Sequence, residues 1–229
     1  MQYEPTSVLQ TTTLGAAQNR VLRNTYMMLA LTMIPTIIGA FVGTSINFSF
    51  MAGHPIMASL LMFGAMMGMM FAVTALRNSI WGVVALLGFT FVAGVFLGPI
   101  LQVALHFRNG AQLVGLAAGG TGIIFFSLAT LASTSKRDFS FMGKFLFIGL
   151  ILLIVASLAN MFFQIPALSL TISAIAVMVF SAYILFDVSR IVQGGETNYV
   201  MATLALYLDI YNLFINLLNL LMAFSGERD

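Results

Sequence analysis

Seven long apolar runs, divided by short polar breaks, organise the chain. They occupy residues 26–48, 55–76, 79–101, 111–133, 141–163, 166–186 and 199–224. Each reaches the roughly 20 mostly apolar residues that a helix needs to cross the hydrocarbon of a bilayer. The breaks have local causes. Gly53-His54-Pro55 reads as a turn, Arg77-Asn78 as a very tight one, and Lys136-Arg137-Asp138 as the most charged connection. Leu97-Gly98-Pro99-Ile100-Leu101 closes the third run. In Gly194-Gly195-Glu196-Thr197-Asn198 the glycines suit a helix C-cap, and Thr197 or Asn198 suits an N-cap. The pattern predicts an all-α polytopic bundle of seven transmembrane helices. The seventh run, which carries polar residues, is the weakest span. Residues 1–24 form a polar, flexible N-terminal tail, and 25–229 form the transmembrane domain.

Composition narrows the solvent. The chain is 60% hydrophobic and 7% charged, whereas soluble domains carry about 25% charged residues. So few charges cannot cover a water-facing surface, so lipid is the solvent for the outer face. The net charge of +2 is too small and scattered for nucleic-acid binding. There is no cysteine, which excludes disulfides and thiolate metal sites. The polar tail lacks the apolar core of a cleaved signal peptide, so the first run reads as an uncleaved helix. Lys and Arg near span ends set orientation. Arg20, Arg23, Arg77, Lys136, Arg137, Lys144 and Arg190 fall on the N-terminal side, and only Arg108 and Arg228 fall opposite. This bias predicts a cytoplasmic N-terminus and a C-terminus on the other face. Gly64 and Gly68, and Gly115 and Gly119, have the spacing that lets helix backbones approach in lipid. They are expected to pack within the bundle, with a homodimer face as the alternative.

Asp209 is the most informative residue. It lies about 15 Å of helix rise inside the seventh run. A carboxylate at that depth costs about 2.5–3.5 kcal/mol on insertion scales, so it should face the bundle interior and have a partner. Asp209, Asn212, Asn216 and Asn219 share one helix face. That polar seam is either glue between helices or one wall of a hydrated path. Asp187 ends the sixth run. It either pairs with Arg190 one turn later or faces Asp209 across the turn. Two carboxyls in one site cannot both ionise freely and titrate as a unit. Ionised, Asp187 and Asp209 attract a cation such as Ca²⁺. Arg77 sits at the inward end of the second run, as a positive-inside anchor or as a latch on the acidic pair. His54 and His106 read as interfacial. The sixteen methionines, with no cysteine or histidine interleaved, read as filler of apolar helices. No His-Glu-x-x-His or Gly-x-Ser-x-Gly pattern is present, and Gly119-Gly120-Thr121-Gly122 lacks the lysine of a phosphate loop, so neither an enzyme nor a bound cofactor is expected.

Several segments carry a family resemblance. They are Val21-Leu22-Arg23-Asn24-Thr25-Tyr26, Leu97-Gly98-Pro99-Ile100-Leu101, Lys136-Arg137-Asp138-Phe139-Ser140-Phe141-Met142-Gly143, Gly194-Gly195-Glu196-Thr197-Asn198-Tyr199, and Leu206-Tyr207-Leu208-Asp209-Ile210-Tyr211-Asn212-Leu213-Phe214. Together they resemble the Bax inhibitor (TMBIM) family, and within it the proteobacterial YccA-like branch. The resemblance implies a bundle whose last helix is enclosed by the other six. It also implies two activities. YccA-like proteins are modulators and substrates of the FtsH membrane protease in the inner membrane. Other family members are pH-sensitive Ca²⁺ leaks whose aspartate pair looks like Asp187 and Asp209 and whose arginine latch looks like Arg77. The YccA-like branch often has Glu or Ser in place of one or both aspartates, and this chain keeps both.

Overall fold

The computed structural model describes residues 6–49, 53–135 and 137–226. Met1–Pro5 of the tail, and Lys136, Arg228 and Asp229, lie outside them. Eight α-helices are found among the described residues: α1 (Thr6–Ser45), α2 (Pro55–Leu76), α3 (Ile80–Phe96), α4 (Gly98–His106), α5 (Gly110–Thr134), α6 (Met142–Phe163), α7 (Pro166–Val192) and α8 (Tyr199–Phe224). They make seven membrane spans, because α3 and α4 together form the third, Ile80–His106. The first span is the Gln18–Ser45 part of α1, whose helix also runs back to Thr6 through the polar stretch. The seventh has the lowest mean hydropathy, 1.5, yet it is a full helix of 26 residues.

Leu97-Gly98-Pro99 interrupts the third span where the sequence pattern had ended it. Pro99 has no N–H to donate, so the ladder breaks there. The Leu97 N–H closes α3 on the Ala93 and Gly94 carbonyls, at 3.2 and 3.0 Å. Pro99 then sits in the first turn of α4, where a missing N–H costs nothing. The chain therefore continues to His106.

Helix α8 is the centre of the bundle. It packs against α1, α2, α3, α4, α5 and α7, while α6 rests on the outer side of α7. No residue from Tyr199 to Met222 is exposed. The outer faces are apolar instead: Phe41, Ile80, Ile123, Phe145 and Met178 are each at least 70% exposed, as a lipid-facing surface requires.

The closest helix crossing is between α1 and α3–α4, and its glycines are not those the spacing had singled out. A methyl at Gly39 or Gly94 would collide with the Phe91 or Thr36 carbonyl, and one at Gly98 would lie 2.5 Å from the Gly43 carbonyl. Gly64, Gly68, Gly115 and Gly119 have nothing within 4 Å of where a Cβ would stand, and all four are exposed. The expectation that they pack inside the bundle is corrected: they face outward. Between α5 and α6, the hydroxyl and backbone N–H of Ser140 hold the Asp138 carboxyl below the usual carboxylate range, the N–H at 2.7 Å.

Candidate functional site: a carboxyl pair beside the central helix

The site is built by the connection between α7 and α8. Gly194 has φ +78°, which glycine adopts without strain. Its N–H bonds the Ile191 carbonyl at 3.1 Å, and the Gly195 N–H bonds the Arg190 carbonyl at 2.8 Å. This is a Schellman ending for α7. Asn198 then starts α8: its Oδ1 accepts from the N–H groups of Val200 and Met201 at 3.0 and 3.1 Å. The Asn198 amide also donates to the Arg77 carbonyl at 3.1 Å and to Asn78 Oδ1 at 2.9 Å. One side chain thus caps the central helix and ties it to the turn between α2 and α3.

The two aspartates come together in this frame. Their carboxyl groups lie within hydrogen-bonding reach of each other. Asp209 is 6% exposed, and Asp187 is half-buried. Asp209 Oδ2 is fully enclosed and has no hydrogen-bond partner among the described residues. Two carboxyls in contact are stable when they share a proton or a cation between them. Tyr183, one turn before Asp187 on α7, lies within electrostatic range of both. No third Asp, Glu or His joins the pair among the described residues. Ca²⁺ takes 6–8 oxygen ligands, so this donor set suits an ion that keeps most of its water rather than a resident one.

The arginines fall elsewhere. Arg190 Nη2 pairs with Glu196 Oε2 at 3.5 Å, not with Asp187 as the i, i+3 spacing had allowed. It remains within electrostatic range of Asp187. Arg77 is exposed, and its guanidinium forms no ion pair among the described residues. Its carbonyl is the group that meets α8.

The polar seam of α8 is half-buried along Asn212, Asn216 and Asn219. Its amides mostly serve their own helix. Asn212 donates to the Leu208 carbonyl and Asn216 to the Asn212 carbonyl, both at 2.8 Å. The cross-helix hydrogen bonds come from the opposite face, from Thr203 to the Thr25 carbonyl at 3.4 Å and from two tyrosines that sequence reasoning missed. The Tyr207 hydroxyl is 2.9 Å from Thr36 Oγ1 and 3.3 Å from the Thr90 carbonyl. The Tyr211 hydroxyl donates to the Ala93 carbonyl at 3.0 Å. A usable signal existed: a tyrosine deep in a span must place its hydroxyl on a partner, and Tyr207 and Tyr211 flank Asp209.

The family model described as inhibitor of apoptosis-promoting Bax1 matches residues 18–226. The chain belongs to the Bax inhibitor family. The Escherichia coli K12 protein named modulator of FtsH protease YccA is 36% identical over 219 residues, 96% of this chain and 94% of that protein. An uncharacterized membrane protein of Vibrio cholerae is 42% identical over 203 residues, 89% of each chain. The seven spans and the carboxyl pair therefore occur in a chain that a YccA relative matches over nearly its whole length.

Proposed function

We propose that this protein is an inner-membrane modulator of an FtsH-type protease complex. The supporting observation is the likeness to the Escherichia coli modulator, which runs through 96% of this chain and 94% of that one, so every span has a counterpart. The bias of basic residues toward one end supports a cytoplasmic N-terminus and a periplasmic C-terminus. Residues 1–18 then form the polar segment that a processive protease would grip. The experiment is a pulse-chase of the full chain and of a variant lacking residues 1–18, in cells with and without the protease. Slower turnover of the truncated chain, with altered degradation of another protease substrate when the full chain is overproduced, supports the reading. Unchanged turnover and unchanged substrate degradation remove it.

A second reading rests on Asp187 and Asp209. A carboxyl pair in contact, with one oxygen enclosed and unpartnered, is a place where a proton or a partly hydrated cation can be held inside a span. This reading makes the protein a pH-sensitive cation leak, with Ca²⁺ as the ion to test and Arg77 as the residue to substitute next. Proteoliposomes loaded with a Ca²⁺ indicator, from about pH 6 to about pH 8, compare wild type with Asp187→Asn/Asp209→Asn. Flux that varies with pH and changes in the double variant supports the leak. Flux equal to that of empty liposomes removes it and leaves the protease reading in place.

A further inference from the structure

A cleft of about 1130 Å³ opens on the face of α8 opposite the carboxyl pair. Helices α1 and α5 form its sides. The Tyr26 ring of α1 stands edge-on to Phe125 of α5 at 6.2 Å, and both rings line the cleft. Its lining on α5 runs from Ala111 to Thr134, about 35 Å of helix rise, which is the full depth of a hydrocarbon core of about 30 Å. The rim carries Ile37, Phe41 and Phe126, which are 56%, 72% and 69% exposed, so the cleft opens sideways toward lipid.

Three observations define what fits. First, the floor is apolar toward the cleft. Tyr207 and Tyr211 line it, but their hydroxyls are engaged with Thr36 and with the Thr90 and Ala93 carbonyls. Tyr211, which is half-buried, offers ring carbon to an occupant, and neither tyrosine leaves a polar group in need of one. Second, the cleft is narrow at its base. Tyr207 is only 1% exposed, and Ile210, Tyr211 and Phe214 are not exposed either. A helix is about 10–12 Å wide with its side chains and would need a floor open to that width. A single extended alkyl chain does not. Third, an apolar void in a bilayer excludes water and leaves its walls without contacts on one side, so lipid chains are the available filling.

We propose that the cleft between α1 and α5 is a binding site for an acyl chain of a bilayer phospholipid, seated against the tyrosine face of α8. The site lies on the side of the central helix away from Asp187 and Asp209, and it stands independently of either functional reading.

Quenching of a tryptophan reporter tests this. Trp81 is the one native tryptophan, so Trp81→Phe gives a silent background. The reporter is Phe214→Trp on the floor. Phe145→Trp, at a position 74% exposed, is the lipid-facing control, and Phe89→Trp, at 1%, is the core control. The probe is a phosphatidylcholine brominated on its acyl chain, in vesicles of phosphatidylethanolamine and phosphatidylglycerol. The expected result is quenching at 214 about twofold or more above that at 89, approaching that at 145. Gly122→Phe plugs the cleft where a Cβ meets nothing within 4 Å. It should lower quenching at 214 and leave 145 unchanged. If Phe89→Trp does not fold, the comparison with and without the plug decides alone. Quenching at 214 that equals the core control, or that ignores the plug, overturns the proposal. The chain has no cysteine, so Ala118→Cys also reports on a second copy. A disulfide-linked dimer together with absent quenching at 214 would place a partner helix there and overturn the lipid assignment.

Discussion

Gly94→Ala tests the contact that sets the position of α1 against the rest of the bundle. A Cβ at Gly94 would collide with the Thr36 carbonyl oxygen and lie 2.9 Å from its carbon and 3.0 Å from Thr36 Cα. All three are backbone atoms, so no side chain can rotate away and the helices must separate. Overpacking of this kind costs about 1–3 kcal/mol, and a backbone clash belongs in the upper part of that range. Alanine returns up to about 1 kcal/mol through helix propensity. The net expectation is a loss of about 1–2 kcal/mol. At about 2–4 °C per kcal/mol for a chain of this size, Tm falls by about 2–8 °C. Gly64→Ala is the matched control, because nothing lies within 4 Å of a Cβ there. It keeps the propensity gain without the clash, so Tm stays level or rises by up to about 4 °C. The assay is heating in detergent followed by size-exclusion chromatography of the surviving monomer. The strain at Gly94 also bears on Thr36, the partner of Tyr207, so the same clash loosens the hold on α8. Gly94→Ala melting at or above Gly64→Ala would refute the close approach of α1 and α3.

Three further outcomes follow from the same geometry. Tyr207→Phe removes the hydroxyl between Thr36 and Thr90 and should cost about 0.6 kcal/mol, with about 1.7 kcal/mol as the upper end for hydrogen bonds within membranes, read as a lower Tm with an unchanged elution profile. Asn198→Ala loses both the cap of α8 and the tie to the Arg77 carbonyl, and should cost about 1–2 kcal/mol. Aspartate at 198 should recover the cap but not the tie, and a neutral Asn198→Ala would contradict the arrangement. Arg77→Gln should change Tm by no more than about 0.5 kcal/mol equivalent, because the side chain is exposed. A large loss would mean that its guanidinium holds a partner.

Much of the architecture was legible in the chain. Seven apolar runs, the basic bias toward one end, and the glycine and asparagine signals at 194 and 198 depend on local chemistry: burial length, charge, backbone freedom and capping. The structure repeats the spans and the caps with shifted edges, such as a sixth span that reaches Val192 and a third that runs on from Leu101 to His106. Asp209 was also marked by the sequence, since a carboxylate in a span must be accounted for. What faces what was decided only by tertiary structure. Lipid tails and helix interiors are both apolar, so periodicity in a span does not distinguish the face that meets a neighbour from the face that meets the bilayer. That is why Gly64 and Gly115 read like interface glycines yet face outward, while Gly39 and Gly94 make the crossing. It is also why the pairing of Asp187 with Asp209 rather than Arg190, and the tyrosine contacts of α8, depend on where α7, α1 and α3 come to rest around the central helix.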